Sequence, residues 1–473
     1  MGGWLALALA ALCRGHAEPP IGPQGGPEQL HLALGEEPSV MTVTFFSAVA
    51  YENSSCSLRE GSEVRTFTGT SKLYSNLGWS GRIHSVRMDQ LPVNKRLSYS
   101  CDGGAAWHGF RTPPARGALP LTVAAVADLG ENCDKDGCGN ATIASLASDK
   151  SYSMLLHAGD IAYTDGDEAI WDHFMREMEP IARERPYMVG VGNHEHFNNF
   201  TGYQVRFTMP GEAARLSGNL WYSFDYGGVH FVAFSTEHHL SLQLPFLEAD
   251  LRAASANREK VPWVVVFAHK PLYCSTNDYY DCHIHSAVLR RELEPLFMKH
   301  QVDLFLGGHL HNYERTWPVA HNVTVARSYT DVGATVHVVI GNAGDVEGLT
   351  DTWQSCPDWS VVRQASLGYT RLHFENSTTM RFELLDSVNA SVRDAFTIRR
   401  PVPKVPAEVV EQWATATYRG VDLFAALYGS AATAREAMAR SRLPAPEKLK
   451  DCSQMSDFGL GVSITSNYME VPT

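Results

Sequence analysis

The sequence has few positive charges, and it has no long apolar run after its first residues. It carries 39 Lys and Arg residues against 52 Asp and Glu residues, a net charge of −13 at pH 7. Proteins bind the nucleic-acid backbone mainly through clustered Lys and Arg side chains, and the sequence shows no basic stripe. We therefore expect no nucleic-acid partner. No stretch after residue 17 is long enough to cross a bilayer as a helix, so we also expect no membrane span.

Residues 1–17 have the features of a secretory signal peptide. An apolar run from Trp4 to Leu12 is followed by small residues near Ala17, where cleavage is expected, although no Lys or Arg precedes the run. The rest of the chain carries six Asn-x-Ser/Thr sequons, which support passage through the secretory pathway. We expect a glycoprotein that is secreted or lysosomal. The sequons begin at Asn53, Asn140, Asn199, Asn322, Asn376 and Asn389.

The cysteines lack the spacing of a structural zinc site. Apart from Cys13, which lies in the expected signal peptide, there are eight, among them Cys356 and Cys452. An even number in an oxidising compartment favours disulfide bonds over thiolate ligands. Their pairing cannot be derived from the sequence, which is compatible with three pairs in particular. These are Cys133 with Cys138, Cys274 with Cys282, and Cys56 with Cys101.

Two regions differ in the period of their apolar residues. The chain has 473 residues, of which 44% are hydrophobic, so it can bury a substantial core in more than one domain. In residues 27–114, apolar and polar residues alternate in short runs that turn residues separate, which predicts a fibronectin-III-like β-sandwich. In residues 119–400, buried strands alternate with helical segments such as the one carrying Ile170 and Phe174. This pattern predicts a largely parallel α/β domain. Residues 401–473 form a tail of unknown role.

Possible metal ligands follow five of the predicted strands. Ligands in α/β folds are held at the carboxyl ends of the strands, so we expect these side chains to lie close together. Taken singly, an Asp after a strand is more often a helix cap and a His is more often a hydrogen-bonded polar residue. Their common position at strand ends favours a shared site. The candidates are Asp128, Asp160, Tyr163, Asn193, His269, His309 and His311.

This set of donors suits two metal ions. Asp and Tyr oxygens suit a ferric ion, whereas His and Asn suit a divalent one. Two ions about 3.5–4 Å apart lower the pKa of a shared water, supply hydroxide and neutralise the charge of phosphate oxygens. A nearby His that binds no metal can protonate the leaving group. The sequence therefore predicts hydrolysis of a phosphate ester.

The same blocks resemble the five ordered motifs of the purple acid phosphatases, within the metallophosphoesterase superfamily. The resemblance implies an α/β/β/α metallophosphoesterase sandwich behind the N-terminal β-sandwich, and acid phosphatase activity on phosphate monoesters of small molecules or proteins. It covers about residues 27–399. The blocks are Ala127-Asp128-Leu129-Gly130, Gly159-Asp160-Ile161-Ala162-Tyr163, Gly192-Asn193-His194-Glu195, Val266-Phe267-Ala268-His269 and Gly308-His309-Leu310-His311.

The resemblance also assigns roles to the residues. It implies that Asp128, Tyr163 and His311 bind Fe(III), that Asn193, His269 and His309 bind a divalent ion, and that Asp160 bridges the two. The divalent ion would be zinc or iron, with manganese also possible. His194 resembles the family's His that contacts phosphate and assists the leaving group.

The segment after His269 departs from the family pattern. Plant members place a catalytic His pair where Asp278 and Tyr279 fall in this chain. We expect His285, or failing that His283, to take the acid role. Two other functions stay open on the sequence alone: a metallophosphodiesterase of the same superfamily, and a secreted binding protein with an inactive metal centre. Tyr163 favours the phosphatase, because a phenolate ligand to iron separates the purple enzymes from relatives with two divalent ions.

Overall fold

The computed structural model describes residue 23 and residues 25–131, 139–331 and 333–400. The expected signal peptide and the C-terminal segment 401–473 lie outside the described residues. Cys133, Cys138 and Cys452 do so as well, and with them the suggested Cys133–Cys138 pair. No helix in the described ranges is long and apolar enough to cross a membrane.

The N-terminal part forms two four-stranded antiparallel sheets. Its strands are β1 (Glu28–Leu34), β2 (Met41–Ser47), β3 (Ser55–Glu60), β4 (Glu63–Thr68), β5 (Thr70–Asn76), β6 (Trp79–Met88), β7 (Arg96–Ser100) and β8 (His108–Arg111). The strand orders are β1-β2-β6-β5 and β4-β3-β7-β8. Leu32, Val43 and Tyr99 are among the side chains that fill the core. A disulfide joins Cys56 to Cys101, so the expected sandwich and this pair are both confirmed.

Two larger sheets follow. Their strands are β9 (Leu121–Val126), β10 (Leu155–Ala158), β11 (Tyr187–Gly190), β12 (Tyr222–Tyr226), β13 (Val229–Ala233), β14 (Trp263–Phe267), β15 (Leu304–Gly307), β16 (Tyr313–Thr316), β17 (Val319–Ala320), β18 (Val323–Thr324), β19 (Val336–Ile340), β20 (Ser360–Gln364), β21 (Gly368–Phe374), β22 (Thr379–Asp386) and β23 (Val392–Arg399). One sheet has the order β11-β10-β9-β21-β22-β23, and the other has the order β12-β13-β14-β15-β19-β16-β20. Strands β17 and β18 form a separate two-stranded sheet.

Each large sheet has a set of parallel strands, and antiparallel strands pair with the edges of this set. Strands β9, β10 and β11 are parallel, as are β13, β14, β15 and β19. The pairs β9–β21, β21–β22 and β22–β23 are antiparallel, and so are β12–β13, β16–β19 and β16–β20. The expectation of a largely parallel core is therefore wrong in this detail. The pairs β12–β13, β21–β22 and β22–β23 are joined by short connections, whereas a parallel pair would need a long crossover.

The last two of the six α-helices in the described ranges cover the second sheet, and the two large sheets cover each other. The helices are α1 (Asn140–Ser148), α2 (Glu168–Ala182), α3 (Thr201–Arg206), α4 (Gly211–Ser217), α5 (Leu244–Ala256) and α6 (Ser286–Lys299). On β14, Val265 and its alternate neighbours pack between the two sheets. Val264 and Val266 point the other way and pack against Leu251 of α5 and Leu293 of α6. This two-sided burial explains the continuous apolar run of β14, and the α/β class of the domain is confirmed.

The sandwich contacts the α/β domain through buried polar groups. The Trp79 indole donates a hydrogen bond of 2.7 Å to Asp172 on α2. Arg206 at the end of α3 is completely buried, and its guanidinium lies 2.8 Å from Glu168. Tyr74 donates a hydrogen bond to Glu168 as well. Strands β5 and β6 are therefore fixed against α2.

Candidate metal centre

The predicted ligands meet at one edge of the two facing sheets. Asp128 and Asp160 follow β9 and β10 by two residues, and Asn193 follows β11 by three. From the other sheet, His269 follows β14 and His309 follows β15. Parallel strands point their carboxyl ends to the same edge, so these loops converge. The His269 side chain shows the convergence directly, because its Nδ1 lies 3.3 Å from the carbonyl oxygen of Ala158 in the opposite sheet.

Four of the candidate residues have a left-handed backbone. The φ angles are 57° at Asp128, 49° at Asp160, 51° at Tyr163 and 70° at His309. Residues other than glycine adopt this region rarely and at a cost of about 1–3 kcal/mol, and such residues concentrate at functional sites. The fold therefore holds these four residues in backbone conformations that their local sequence alone does not favour.

Glycines make room for the two aspartates. A Cβ atom at Gly192 would clash with the Asp160 carboxylate, and one at Gly308 would clash with the Asp128 carboxylate. Only a residue without a side chain therefore fits beside each carboxylate. This explains physically why the motifs place Gly192 and Gly308 directly before Asn193 and His309.

Asp160 lies at the centre of the cluster and is 1% exposed. Its Oδ2 is 2.9 Å from the Nε2 of His269, and its Oδ1 accepts a hydrogen bond of 2.8 Å from the backbone N–H of His194. Asp160, His269 and His309 each offer a ligand atom, and these atoms lie within 4.8 Å of one another. The Oδ1 of Asn193 lies 2.9 Å from the Nε2 of His269 and belongs to the same side of the cluster.

The other side of the cluster brings together Asp128, Tyr163 and His311. The Tyr163 hydroxyl donates a hydrogen bond of 3.1 Å to the Oδ1 of Asp128, and it lies 2.9 Å from the Nε2 of His311. All three side chains are buried. The structure therefore brings all seven predicted ligands into one cluster, with one carboxylate, one phenol and one imidazole grouped on this side.

The electrostatics of the cluster fit a bound cation. Burial raises the pKa of the Asp128 carboxyl, and the charge of Asp160 adds to this effect. Burial also acts on Asp160, but the charges of His269 and His194 outweigh it and hold its pKa well below the usual range. Burial and the charge of Asp128 raise the pKa of Tyr163 well above its ordinary value. A cation would stabilise the ionised form of each of these groups, and oxygen and imidazole donors suit a mixed metal centre.

His194 lies beside the cluster with a partly exposed ring. Its ring packs on Tyr163 with the ring centroids 4.3 Å apart, and its Nδ1 is 2.7 Å from the Oδ1 of Asp165. Its Nε2 is 4.0 Å from the Oδ2 of Asp160. Burial lowers the pKa of His194, but the charge of Asp160 and the hydrogen bond to Asp165 outweigh burial and raise it to about 10. Both carboxylates therefore favour the protonated ring.

The two further candidate histidines are placed differently. The Nδ1 of His285 lies 2.7 Å from Asp281, whose other carboxylate oxygen lies 3.0 Å from the Nε2 of His309. His283 points elsewhere, with its Nε2 2.8 Å from the side-chain oxygen of Gln354. Of the two, His285 is the one that the structure links to the metal-ligand candidates. It also lines a cleft of 580 Å³ together with Lys270.

Sequence reasoning gave no role to several acidic residues at the site. Asp345 and Glu347 each offer an oxygen near His311, with a distance of 3.4 Å from Asp345 Oδ2 to the His311 Nδ1. They follow β19, so the strand-end rule that located the other ligands could also have found them. Glu195 ends the motif that contains Asn193 and His194, but the sequence pattern assigns it no role. Its carboxylate accepts hydrogen bonds from the backbone N–H groups of Asp160 and Ile161.

The fold and the strand-end cluster define a metallophosphoesterase. A family model described as calcineurin-like phosphoesterase matches residues 121–313. Models for the purple acid phosphatase N-terminal domain and for the iron/zinc purple acid phosphatase-like protein C match residues 27–112 and 334–395. Acid phosphatase type 7 of Mus musculus is 33% identical over 440 residues, which cover 85% of this chain and 98% of the relative. This chain belongs to the purple acid phosphatase family.

Plant proteins show the same likeness. Purple acid phosphatase 18 of Arabidopsis thaliana is 34% identical over 369 residues, which cover 74% of this chain and 79% of the relative. The structure of a purple acid phosphatase from yellow lupin (Lupinus luteus) seeds superposes with a TM-score of 0.72 at 24% identity. That match covers 81% of this chain and 78% of the lupin chain, and it supports the arrangement of a sandwich followed by an α/β domain.

Proposed function

We propose that the chain is an acid phosphatase that hydrolyses phosphate monoesters at a centre of one ferric and one divalent ion. One arrangement carries this proposal: buried Asp160 groups with His269 and His309, its charge acts on Asp128, and the Tyr163 hydroxyl contacts both Asp128 and His311. A phenol beside a carboxylate and an imidazole is a donor set suited to ferric iron. Membership of the family supports the same function.

Each side of the cluster would hold one ion. Asp128, Tyr163 and His311 would hold the ferric ion, and the remaining ligands Asn193, His269 and His309 would hold zinc, iron or manganese. Asp160 would bridge, since the backbone of His194 already fixes one of its oxygens and the other faces His269. Two such ions would activate a water as the nucleophile and neutralise charge on the phosphate oxygens.

His194 and His285 would act on the substrate. His194 is held by Asp165, and its protonated ring would bind a phosphate oxygen and assist the departing group. The Nδ1 of His285 faces Asp281, which leaves its Nε2 free to donate a proton to the leaving oxygen. The cleft that His285 lines would take the organic part of the ester.

An activity assay with two substrates tests the proposal. Protein loaded with iron and zinc should hydrolyse p-nitrophenyl phosphate at pH 5, and much more slowly bis(p-nitrophenyl) phosphate. Asp160→Asn should lose more than about 100-fold of the rate, since partners of metal ligands alone account for about 10–100-fold. Asp89→Asn, which removes an exposed carboxylate of the sandwich, is the charge-matched control. A preference for the diester would indicate a phosphodiesterase, and no turnover of either substrate would indicate an inactive binding protein.

We also propose that the protein is a glycoprotein of the secretory pathway, either secreted or lysosomal. All six sequon asparagines are exposed, and two disulfides join residues of the described chain, Cys56 with Cys101 and Cys274 with Cys282. Exposed sequons are accessible for glycosylation, and disulfides persist in oxidising compartments. Peptide N-glycosidase should lower the apparent mass of protein made in animal cells, and protein found unglycosylated in the cytosol would contradict this assignment.

A further inference from the structure

Asp281 lies on a turn that the structure constrains from two sides. The turn Tyr280–His285 is a short π-helix that leads into α6. The next residue, Cys282, forms a disulfide with Cys274, which anchors the turn to the segment after His269. The backbone N–H of Asp281 donates a hydrogen bond of 2.9 Å to the side chain of Asp278. The Asp281 carboxylate is therefore held in a fixed place at the rim of the cluster.

Each oxygen of this carboxylate contacts a different histidine. The Oδ2 lies 3.0 Å from the Nε2 of His309, and the Oδ1 lies 2.7 Å from the Nδ1 of His285. The carboxylate is 14% exposed, so little water competes for these contacts. Carboxylate oxygens accept hydrogen bonds, so we assign a hydrogen to each of the two ring nitrogens that face Asp281.

These two contacts fix the tautomers of both rings. With hydrogen on its Nε2, His309 has only its Nδ1 left to bind a cation. Carboxylates that accept from the second nitrogen of a metal-binding histidine orient the ring and increase its basicity. With hydrogen on its Nδ1, His285 has its Nε2 left for a second hydrogen, and the doubly protonated ring can donate that hydrogen to a leaving group in the cleft that it lines with Lys270. A carboxylate that orients an imidazole in this way serves the same purpose in hydrolytic triads.

We propose that Asp281 is a positioning residue that orients both a ligand of the divalent ion, His309, and the proton donor, His285. This inference rests on the proposed function for the identity of the two histidines. Because one carboxylate serves both, its loss affects two separate steps: binding of the divalent ion, and protonation of the leaving group. No other acidic side chain in the described ranges is within hydrogen-bonding distance of both rings.

Asp281→Asn tests the first of these effects by metal binding. An asparagine can present only one acceptor oxygen, so it cannot accept from both rings. We expect the full-length Asp281→Asn protein to bind Zn²⁺ about 10- to 100-fold more weakly in a chelator competition, while iron content is unchanged. Asp281→Glu should restore part of the affinity. Asp89→Asn, which removes an exposed carboxylate of the sandwich, should bind Zn²⁺ as the wild type does.

The effect on protonation of the leaving group is measured by comparing hydrolysis rates for esters with good and poor leaving groups. Asp281→Asn should slow hydrolysis of an alkyl phosphate more than that of p-nitrophenyl phosphate, because a good leaving group needs little proton assistance. His285→Asn should show the same selectivity, and adding Asp281→Asn to it should increase that selectivity no further. Wild-type affinity for Zn²⁺ in Asp281→Asn, or equal slowing of both esters, would overturn the proposal. A wild type inactive on every ester would contradict the proposed function alone, since Zn²⁺ binding still tests Asp281.

Discussion

At the scale of single residues, the conformation around Asp160 depends on Glu195. The Glu195 carboxylate accepts hydrogen bonds from three backbone N–H groups, those of Gly192 at 2.7 Å, Asp160 at 3.0 Å and Ile161 at 2.8 Å. The carboxylate is buried, so water cannot replace it. It therefore ties the loop after β11 to the loop after β10 and compensates for the left-handed backbone of Asp160.

Glu195→Gln should weaken both stability and catalysis. Glutamine retains one acceptor oxygen and turns an amide N–H₂ toward N–H donors, which leaves a buried donor without a partner. We expect the free energy of unfolding to fall by about 1–3 kcal/mol. Urea denaturation measures the change, and Glu212→Gln on the exposed face of α4 is the control. Unchanged unfolding together with unchanged phosphatase activity would show that Glu195 does not hold the loop.

The sequence predicted residues that follow strands better than contacts between loops. Asp160 and His269 could be located because an apolar strand and a small residue precede each. The contact of Asp281 with His309 joins segments 28 residues apart on a turn that no local pattern predicts. The role of Glu195 was missed for the same reason, because it binds backbone groups whose positions depend on the folded loops.

At the scale of secondary structure elements, His230 joins an edge strand to a helix. Its Nδ1 lies 2.8 Å from Asp225 on β12, and its Nε2 lies 2.9 Å from Asp250 on α5. Burial lowers the pKa of His230, but hydrogen bonds to the two carboxylates outweigh this and raise it from 6.5 to about 9. The ion pairs with protonated His230 therefore stabilise the folded state.

This arrangement predicts a pH dependence of stability. Because the pKa is raised in the folded state, the stabilisation is fully present below pH 6.5 and is lost as the pH rises through about 9. Between these limits, the wild type should lose roughly 1–3 kcal/mol more unfolding free energy than His230→Gln does. Chemical denaturation at pH 6 and pH 9 checks this. Parallel pH curves for the two proteins would contradict the assignment.

Elements with a strong period were predictable, and the pairing of neighbouring strands was less so. Helix α2 was expected from the spacing of Ile170, Phe174 and Met178, and β14 from its apolar run. The sheet was expected to be largely parallel, but β21 and β22 extend it as antiparallel strands. Apolar periodicity reports which faces are buried, but it does not report the direction in which a strand joins its neighbour.

At the scale of the whole molecule, a buried polar interface joins the sandwich to the α/β domain. The Arg206 guanidinium is 0% exposed and lies 2.8 Å from Glu168 and 3.7 Å from Asp172. Phe46 and Trp79 of the sandwich flank it, with ring centroids 5.2 Å and 5.1 Å away. The apolar period of α2 predicted one buried face of this helix. Its second buried face is polar and contacts β5 and β6, so the sequence of the helix alone could not reveal it.

Arg206→Met should destabilise the molecule strongly. The substitution leaves Glu168 and Asp172 buried without their cation, which typically costs about 3–5 kcal/mol. Scanning calorimetry should show a lower Tm, and proteolysis should cut preferentially between the sandwich and the α/β domain. Arg215→Met removes an exposed arginine of α4 and should leave the Tm unchanged. A wild-type Tm in Arg206→Met would show that the interface does not depend on this ion pair.

The centre itself is tested most directly by a metal analysis combined with a visible spectrum of the wild type and Tyr163→Phe. We predict one iron and one divalent ion per chain and a purple absorption band, since a phenolate bound to ferric iron gives a charge-transfer transition. Tyr163→Phe should lose the band and retain iron through Asp128, Asp160 and His311. Tyr203→Phe, which alters a buried tyrosine bonded to Val189 and Asn219, should remain purple. An active enzyme that is colourless and free of iron, or a band that survives Tyr163→Phe, would contradict the assignment.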